Sequence, residues 1–232
     1  MTTTNKVLQQ SLAVQEAWQQ QSAASRSEIL MAWAQLLGQR DQNYAECAAM
    51  IRFQCQQALA VIGKEHQLQG PTGESNELYT AGRGCFLVLA DDSAGKEALV
   101  GLITAALIAG NSVICSAADC PLDELLGELL RAGCPNRVAL PLAYSLAPEL
   151  AQHRAVAGIA LAGSQQSAVH YNQLIAERDG QLAQLVCESD MRNFSHMSEP
   201  KFCLRFITER TRTINITAVG GNASLLELGS GE

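Results

Sequence analysis

The sequence has 232 residues, of which 47% are hydrophobic and 17% charged, with a net charge of −7. That length suits one large domain, or one domain with an appendage. The acidic balance and the lack of any basic block exclude a nucleic-acid partner, because phosphate binding needs clustered Lys and Arg.

Helices come first. Leu8, Leu12, Trp18, Leu30, Trp33, Leu36 and Leu37 recur at helical spacing, so residues 7–59 read as helical. Ser25-Arg26-Ser27-Glu28 fits a capping box, and Gly38 reads as a stop signal ahead of a third helix over 41–59. Residues 67–83, with Gly70-Pro71-Thr72-Gly73, break that pattern and read as a loop.

A different rhythm follows. Residues 85–90, 112–115, 138–142 and 157–162 are short apolar runs, as expected of strands buried in a parallel sheet, and 184–187 is a candidate fifth. Helices are predicted between them over 98–109, 122–132, 147–153 and 165–179, with Gly110-Asn111 and Gly133 as C-terminal signals. Strands alternating with helices predict an α/β domain: a Rossmann-like parallel sheet with helices on both faces. The expected organisation is an N-terminal helical segment over 1–66, the sheet domain over 67–192, and a linker with a C-terminal strand and tail over 193–232.

The longest apolar run, residues 98–109, is too short to span a bilayer and is interrupted by Gly101 and Thr104, so no membrane insertion is expected. Residues 1–6 are polar and show no secretory pattern. The eight cysteines form no CxxC pair, so they read as reduced thiols of a cytoplasmic protein, with no metal site. The four histidines are scattered and announce no site.

Near the end, Phe206, Thr208, Arg210, Arg212, Ile214 and Ile216 would share one face of a long strand, with Ile207, Glu209, Thr211, Thr213, Asn215 and Thr217 on the other. Gly220-Gly221 would end it. Such a strand needs a partner, within the protein or on another one.

The stretch from Arg205 through Gly220, Gly221 and Asn222 resembles the C-terminal strand and tail of pyrroline-5-carboxylate dehydrogenases, members of the aldehyde dehydrogenase superfamily. Residues 105–114 and Ala162-Gly163-Ser164 are similar to landmarks of that superfamily's cofactor domain. The resemblance implies a nicotinamide-type cleft, with Ser93, Ser116, Asp119, Gly163, Ser164 and Glu188 at the family's cofactor-facing positions. It also implies an oligomerisation β-flap carrying Arg205, Phe206, Thr208, Arg210, Arg212, Ile214, Ile216, Gly220, Gly221 and Asn222.

The departures are informative. Ser93 stands where the family has an Asn that holds the substrate oxygen, and Ser116 where it has a ribose-binding Lys. Ser164 either offers amides to a pyrophosphate or simply caps the helix beginning near Gln165. Asp91 and Asp92 add negative charge near the phosphate path, and Asp190-Met191 replaces a glycine pair. Between residues 188 and 202 the family carries a whole catalytic domain of about 200 residues with its nucleophilic cysteine, a domain-sized piece. No catalytic residue is therefore assigned.

The resemblance is greatest to the C-terminal domain of the larger proline utilization A proteins. It implies a non-catalytic domain that docks on the dehydrogenase domain through its flap and covers the substrate channel. NAD is expected only if the cleft is intact, and pairing with a second copy is a further option for the flap. The alternatives are an NAD-dependent aldehyde dehydrogenase and a nucleotide-binding sensor without chemistry.

Overall fold

A computed structural model describes residues 2–71 and 73–215. Three long helices open the chain. Helix α1, Thr3–Gln20, starts at Thr2, whose hydroxyl accepts from the Asn5 N–H. Helix α2, Ala23–Arg40, starts at Ser22, whose hydroxyl accepts from the Ser25 N–H at 3.0 Å. The cap thus lies three residues earlier than the Ser25–Glu28 box predicted. Gly38 sits inside α2 instead of ending it. Packing carries the helix through: Trp33 is fully buried and donates its indole N–H to Leu125 O at 3.1 Å, and such contacts outweigh one glycine's cost of about 1 kcal/mol. A 3-10 turn over Gln42–Tyr44 leads into α3, Ala45–Ile62.

The loop expected over 67–83 is instead two strands, β1 (His66–Leu68) and β2 (Glu74–Gly82). Strand β2 has no continuous apolar run because most of it is only half-buried, between β1 and a remote partner. It pairs antiparallel along its whole length with the last described strand, running from Glu74↔Asn215 to Gly82↔Ile207. The terminal strand therefore finds a partner within its own chain.

The central sheet has five parallel strands: β3 (Cys85–Ala90), β4 (Ser112–Ala117), β5 (Ala139–Pro141), β6 (Val156–Ala162) and β7 (Gln184–Glu188). Their spatial order is β5-β4-β3-β6-β7. Helices α4 (Lys96–Ile108), α5 (Leu122–Arg131), α6 (Ala147–Ala151) and α7 (Gln165–Ala176) make the crossovers. Phe86, Val88 and Ala90 face a core shared with α2, α3, α4 and α5. Cys85, Leu87 and Leu89 face a second core under α6, α7 and the start of α1. This alternation within one apolar run is what a doubly covered strand requires. The α/β architecture read from the sequence is present.

Strand β8, Ile207–Asn215, forms a three-stranded antiparallel sheet in the order β1-β2-β8. Phe206 does not belong to it. It closes a 3-10 turn over Phe202–Phe206 and is fully buried, with its ring centroid 5.2 Å from that of Phe86 and 5.4 Å from that of Phe202. The strand begins one residue later, and from Thr208 onward every described residue of it is exposed. Ile216, Gly220, Gly221 and Asn222 lie outside the described residues.

One buried side chain ties the two sheets together. Asn111 Oδ1 accepts from the Arg83 N–H at 2.6 Å and the Gly84 N–H at 3.0 Å, and its Nδ2 donates to Ala106 O at 3.0 Å and Phe206 O at 2.9 Å. It thus satisfies the β2–β3 turn, the end of α4 and the entry to β8 at once.

Candidate functional site

The chain runs outward from β3 to β4 and β5, then returns to β6 and β7 on the other side of β3. Sheets of this kind bind ligands in the crevice outside the carboxyl ends of the two strands where the order reverses, here β3 and β6. Asp91 follows β3, and Gly163-Ser164 follows β6. Ser164 is the N-cap of α7: its hydroxyl accepts from the Ser167 N–H at 3.2 Å. The capping option weighed from the sequence is therefore realised.

The same helix end is already occupied by an acid. Asp91 is 3% exposed. Its Oδ2 accepts from the Ser164 N–H at 2.8 Å, the Ser164 hydroxyl at 3.0 Å and the Ser167 hydroxyl at 2.6 Å. Its Oδ1 accepts from the Ser93 N–H at 2.9 Å and the Ser93 hydroxyl at 2.6 Å. Burial works against ionisation here, but the Ser167 and Ser93 hydroxyls and the Ser164 and Ser93 N–H groups overcome it and hold the carboxyl down at about 2. A methyl group on Gly163 would run into this carboxylate.

Three of the predicted cleft residues, Ser93, Gly163 and Ser164, are thus brought together, around Asp91. Ser167, which the sequence reading missed, belongs with them; its only signal was its place three residues after a helix cap. Ser116 and Asp119 lie apart from this cluster, at and beyond the end of β4. Ser116 is fully buried, and its hydroxyl has no hydrogen-bond partner. Asp119 is exposed on an open cleft of about 710 Å³ between α2, α4 and α5, which Arg40, Lys96, Glu97 and Glu124 also line. The cations there are committed: Arg40 pairs with Glu124 and Glu128, and Lys96 with Glu97.

A dinucleotide in the family's position would bring its pyrophosphate to the α7 amides, where the Asp91 carboxylate already sits. Its ribose would look to a Ser116 hydroxyl that is sealed from solvent. The residues present do not fit that group.

Glu188 ends β7 and is fully buried. Its Oε1 accepts from the Asp190 N–H, and its Oε2 from the His196 and Met197 N–H groups, all at 2.9 Å. Residues 189–201, of which 193–201 were expected as a linker, are a run of turns folded onto this carboxylate. Met197 plugs them into the core, with its carbonyl accepting from Gln54 Nε2 at 2.7 Å. The family's general base falls at Glu188, and a base must reach a substrate proton; this carboxylate is sealed from solvent and holds backbone N–H groups on both oxygens.

No described cysteine is an activated nucleophile. Burial pushes the thiols of Cys47, Cys55 and Cys134 up to about 12 and those of Cys85 and Cys203 up to about 11. Cys187 also rises to about 11, through burial first and then the negative charges of Glu188 and Asp91. Cys115 and Cys120 are raised too, chiefly by burial. A reactive thiol requires the opposite shift. Among the described residues no group of His, Cys, Asp and Glu could hold a metal ion.

No family model matches the chain. Its fold is that of the aldehyde dehydrogenase superfamily. It superposes on 3,6-anhydro-L-galactose dehydrogenase, solved in complex with NAP, with a TM-score of 0.66 at 20% identity over 80% of this chain and 43% of that one. The NAD-dependent benzaldehyde dehydrogenase of Corynebacterium glutamicum gives 0.64 at 17%, over 80% and 46%. Within that fold, the chain is a distant homologue of the bifunctional proline utilization A proteins, aligning to an aldehyde-dehydrogenase-like segment of them. It is 31% identical over 172 residues to the bifunctional protein PutA of Rhizobium meliloti, spanning 73% of this chain and 13% of that protein. With the Escherichia coli protein the figures are 29% over 176 residues, 74% and 12%. The Bradyrhizobium japonicum crystal structure superposes with a TM-score of 0.72 at 27% identity, over 80% of this chain and 22% of that one. The chain therefore matches only 12–13% of the length of these curated relatives, as one segment of a multidomain protein.

Proposed function

We propose that the chain is a non-catalytic aldehyde-dehydrogenase-like domain of proline catabolism. It docks through the β2–β8 ribbon on a pyrroline-5-carboxylate dehydrogenase domain, in the same or a separate polypeptide, and covers that domain's substrate channel. The observation that carries this is the ribbon itself. From Thr208 to the last described residue β8 is exposed, and the outer edge of residues 207–214 bears no strand among the described residues. A long open edge is a template for strand addition by a partner sheet. Its side chains are already ordered for such a role: Arg212 is ion-paired with Glu77 across the ribbon and lies 5.8 Å from the Tyr79 ring centroid.

The non-catalytic part of the reading is supported by the raised thiols and by the engagement of Glu188 with residues 190–197. Eight free thiols support a cytoplasmic setting. The test is co-sedimentation of the chain with its own organism's pyrroline-5-carboxylate dehydrogenase, beside a form truncated after Phe206. The expected result is a complex formed by the full chain and lost on truncation, with a matching loss of coupled proline-to-glutamate turnover. A truncated chain that binds and couples as well as the full one refutes the reading, as does a full chain that pairs only with itself.

A further inference from the structure

We propose that Asp91 is a resident anion of this fold: its carboxylate stands in for a ligand's pyrophosphate at the β3/β6 switch point, and removing it opens a binding site for inorganic pyrophosphate. This does not depend on the docking reading, since it concerns the opposite chemistry of the isolated chain.

The geometry is that of a filled anion site. A helix N-terminus presents unpaired N–H groups and the positive end of its dipole. In α7, twelve residues long, the Ser164 N–H that would meet a phosphate oxygen donates to Asp91 Oδ2 instead. The hydroxyls flanking it, Ser164 and Ser167, turn to the same oxygen. Ser93 closes the other side with an N–H and a hydroxyl on Oδ1. Five contacts fill a carboxylate that has about four lone-pair sites, so no acceptor capacity is left over. Gly163 completes the cradle, because any Cβ there would strike the carboxylate.

The donors are all neutral. Among the described residues no Lys or Arg forms an ion pair with Asp91, so its burial is compensated by N–H and O–H groups and the helix dipole alone. An uncompensated buried carboxylate would be expelled or protonated; this one is held. The carboxylate is also covalently tethered one residue beyond β3, so it is present at the site at an effective concentration no free phosphate matches. A dinucleotide would have to displace it and leave a charged group beside its own phosphates.

Taking the charge away leaves the donors orphaned and facing a cavity of carboxylate size. Such a cavity, lined by serine hydroxyls and the start of a helix, suits a phosphate oxygen. The chain's overall charge of −7 makes this local positive potential a property of the site and not of the surface.

The experiment uses the full chain, its Asp91→Ala and Asp91→Ser variants, and inorganic pyrophosphate as the probe, with chloride at matched ionic strength as control. Amide resonances of Ser93, Ser164 and Ser167 are followed through the titration, and thermal midpoints in parallel. The wild-type amides are expected not to move at millimolar pyrophosphate. The variants are expected to melt lower without ligand and to bind pyrophosphate at least about tenfold more tightly than wild type, with the Ser164 amide shifting saturably. A saturable shift of the wild-type Ser164 amide overturns the proposal even if neither variant folds. A folded variant whose Ser164 amide ignores pyrophosphate overturns it as well. Neither result bears on docking, because no partner is in the tube.

Discussion

Replacing Glu188 by Gln tests whether that residue holds the chain's own backbone. Three N–H groups end on its carboxylate, one on Oε1 and two on Oε2. Hydrogen bonds to a charged group are worth roughly 1.5–3 kcal/mol each. Gln keeps one acceptor oxygen and turns an NH2 toward the remaining donors, so the three contributions are not all lost, and the expected destabilisation is about 2–4 kcal/mol. That is a large share of the 5–15 kcal/mol typical of a domain, and it should appear as a clear drop in the urea midpoint. The loss should also be local. Met197 is fully buried beneath the turns, and its amide exchange should quicken far more than exchange in β3 or β6. A shift below about 0.5 kcal/mol, or an unchanged Met197 amide, would falsify the anchoring role. Glu188→Asp serves as the second probe, because the shorter chain cannot reach both groups of donors and should also destabilise.

Three further outcomes follow from the same kind of reasoning. The folded carboxyl of Asp91 sits at about 2 against 3.8 in the unfolded chain, so its stabilisation is present above the unfolded value and lost as pH falls through the folded one. After allowance for solvent at the crevice mouth this amounts to roughly 1–2 kcal/mol, and the stability gap between wild type and Asp91→Asn should close between about pH 4 and pH 2. A gap that stays constant over that window would count against ionic capping. Asn111→Ala should cost roughly 2–4 kcal/mol in urea unfolding, since the Arg83 and Gly84 N–H groups and the Phe206 C=O lose their partner together, while Ala106 O keeps the Asn111 backbone N–H; a cost under about 1 would mean that the two sheets are held otherwise. Gly163→Ala should destabilise the wild-type chain, yet much less in an Asp91→Ala background, and a double-mutant cycle without coupling would show that the two residues do not meet.

Sequence patterning made the central sheet readable because its strands are buried on both faces. A run such as Cys85-Phe86-Leu87-Val88-Leu89-Ala90 advertises itself without reference to any partner. Strand β2 did the opposite: Glu74-Ser75-Asn76-Glu77 is polar and half-buried at most, and it is a strand because residues 212–215 lie on one side of it and Gln67 and Leu68 of β1 on the other. Phe206 was placed on the strand by alternation, but its position is decided by Phe86 and Phe202, which no local pattern exposes. At the candidate site, Ser164 and Glu188 stood at legible landmarks. Their partners did not. Asp91 and Ser167 lie 76 positions apart in the chain, and the backbone donors of Glu188 carry no side-chain signature at all.

The β2–β8 ribbon also bears on the order of folding. Glu77 and Arg212 face each other across β2 and β8 although 135 positions separate them, so this pairing has the longest loop to close among the described strands, about 0.6 kcal/mol costlier than β3 with β6. During synthesis β2 leaves the ribosome before any residue of the central sheet, and the edge that takes β8 stays bare until residues 207–215 are made. The sheet can condense meanwhile, with β8 joining afterwards. Because the β8 of a neighbouring nascent chain is chemically identical, strand exchange between copies is the expected failure of crowded synthesis, and a dimer peak on sizing that grows with expression level would reveal it. Slow, dilute expression is the condition under which each β2 meets its own β8.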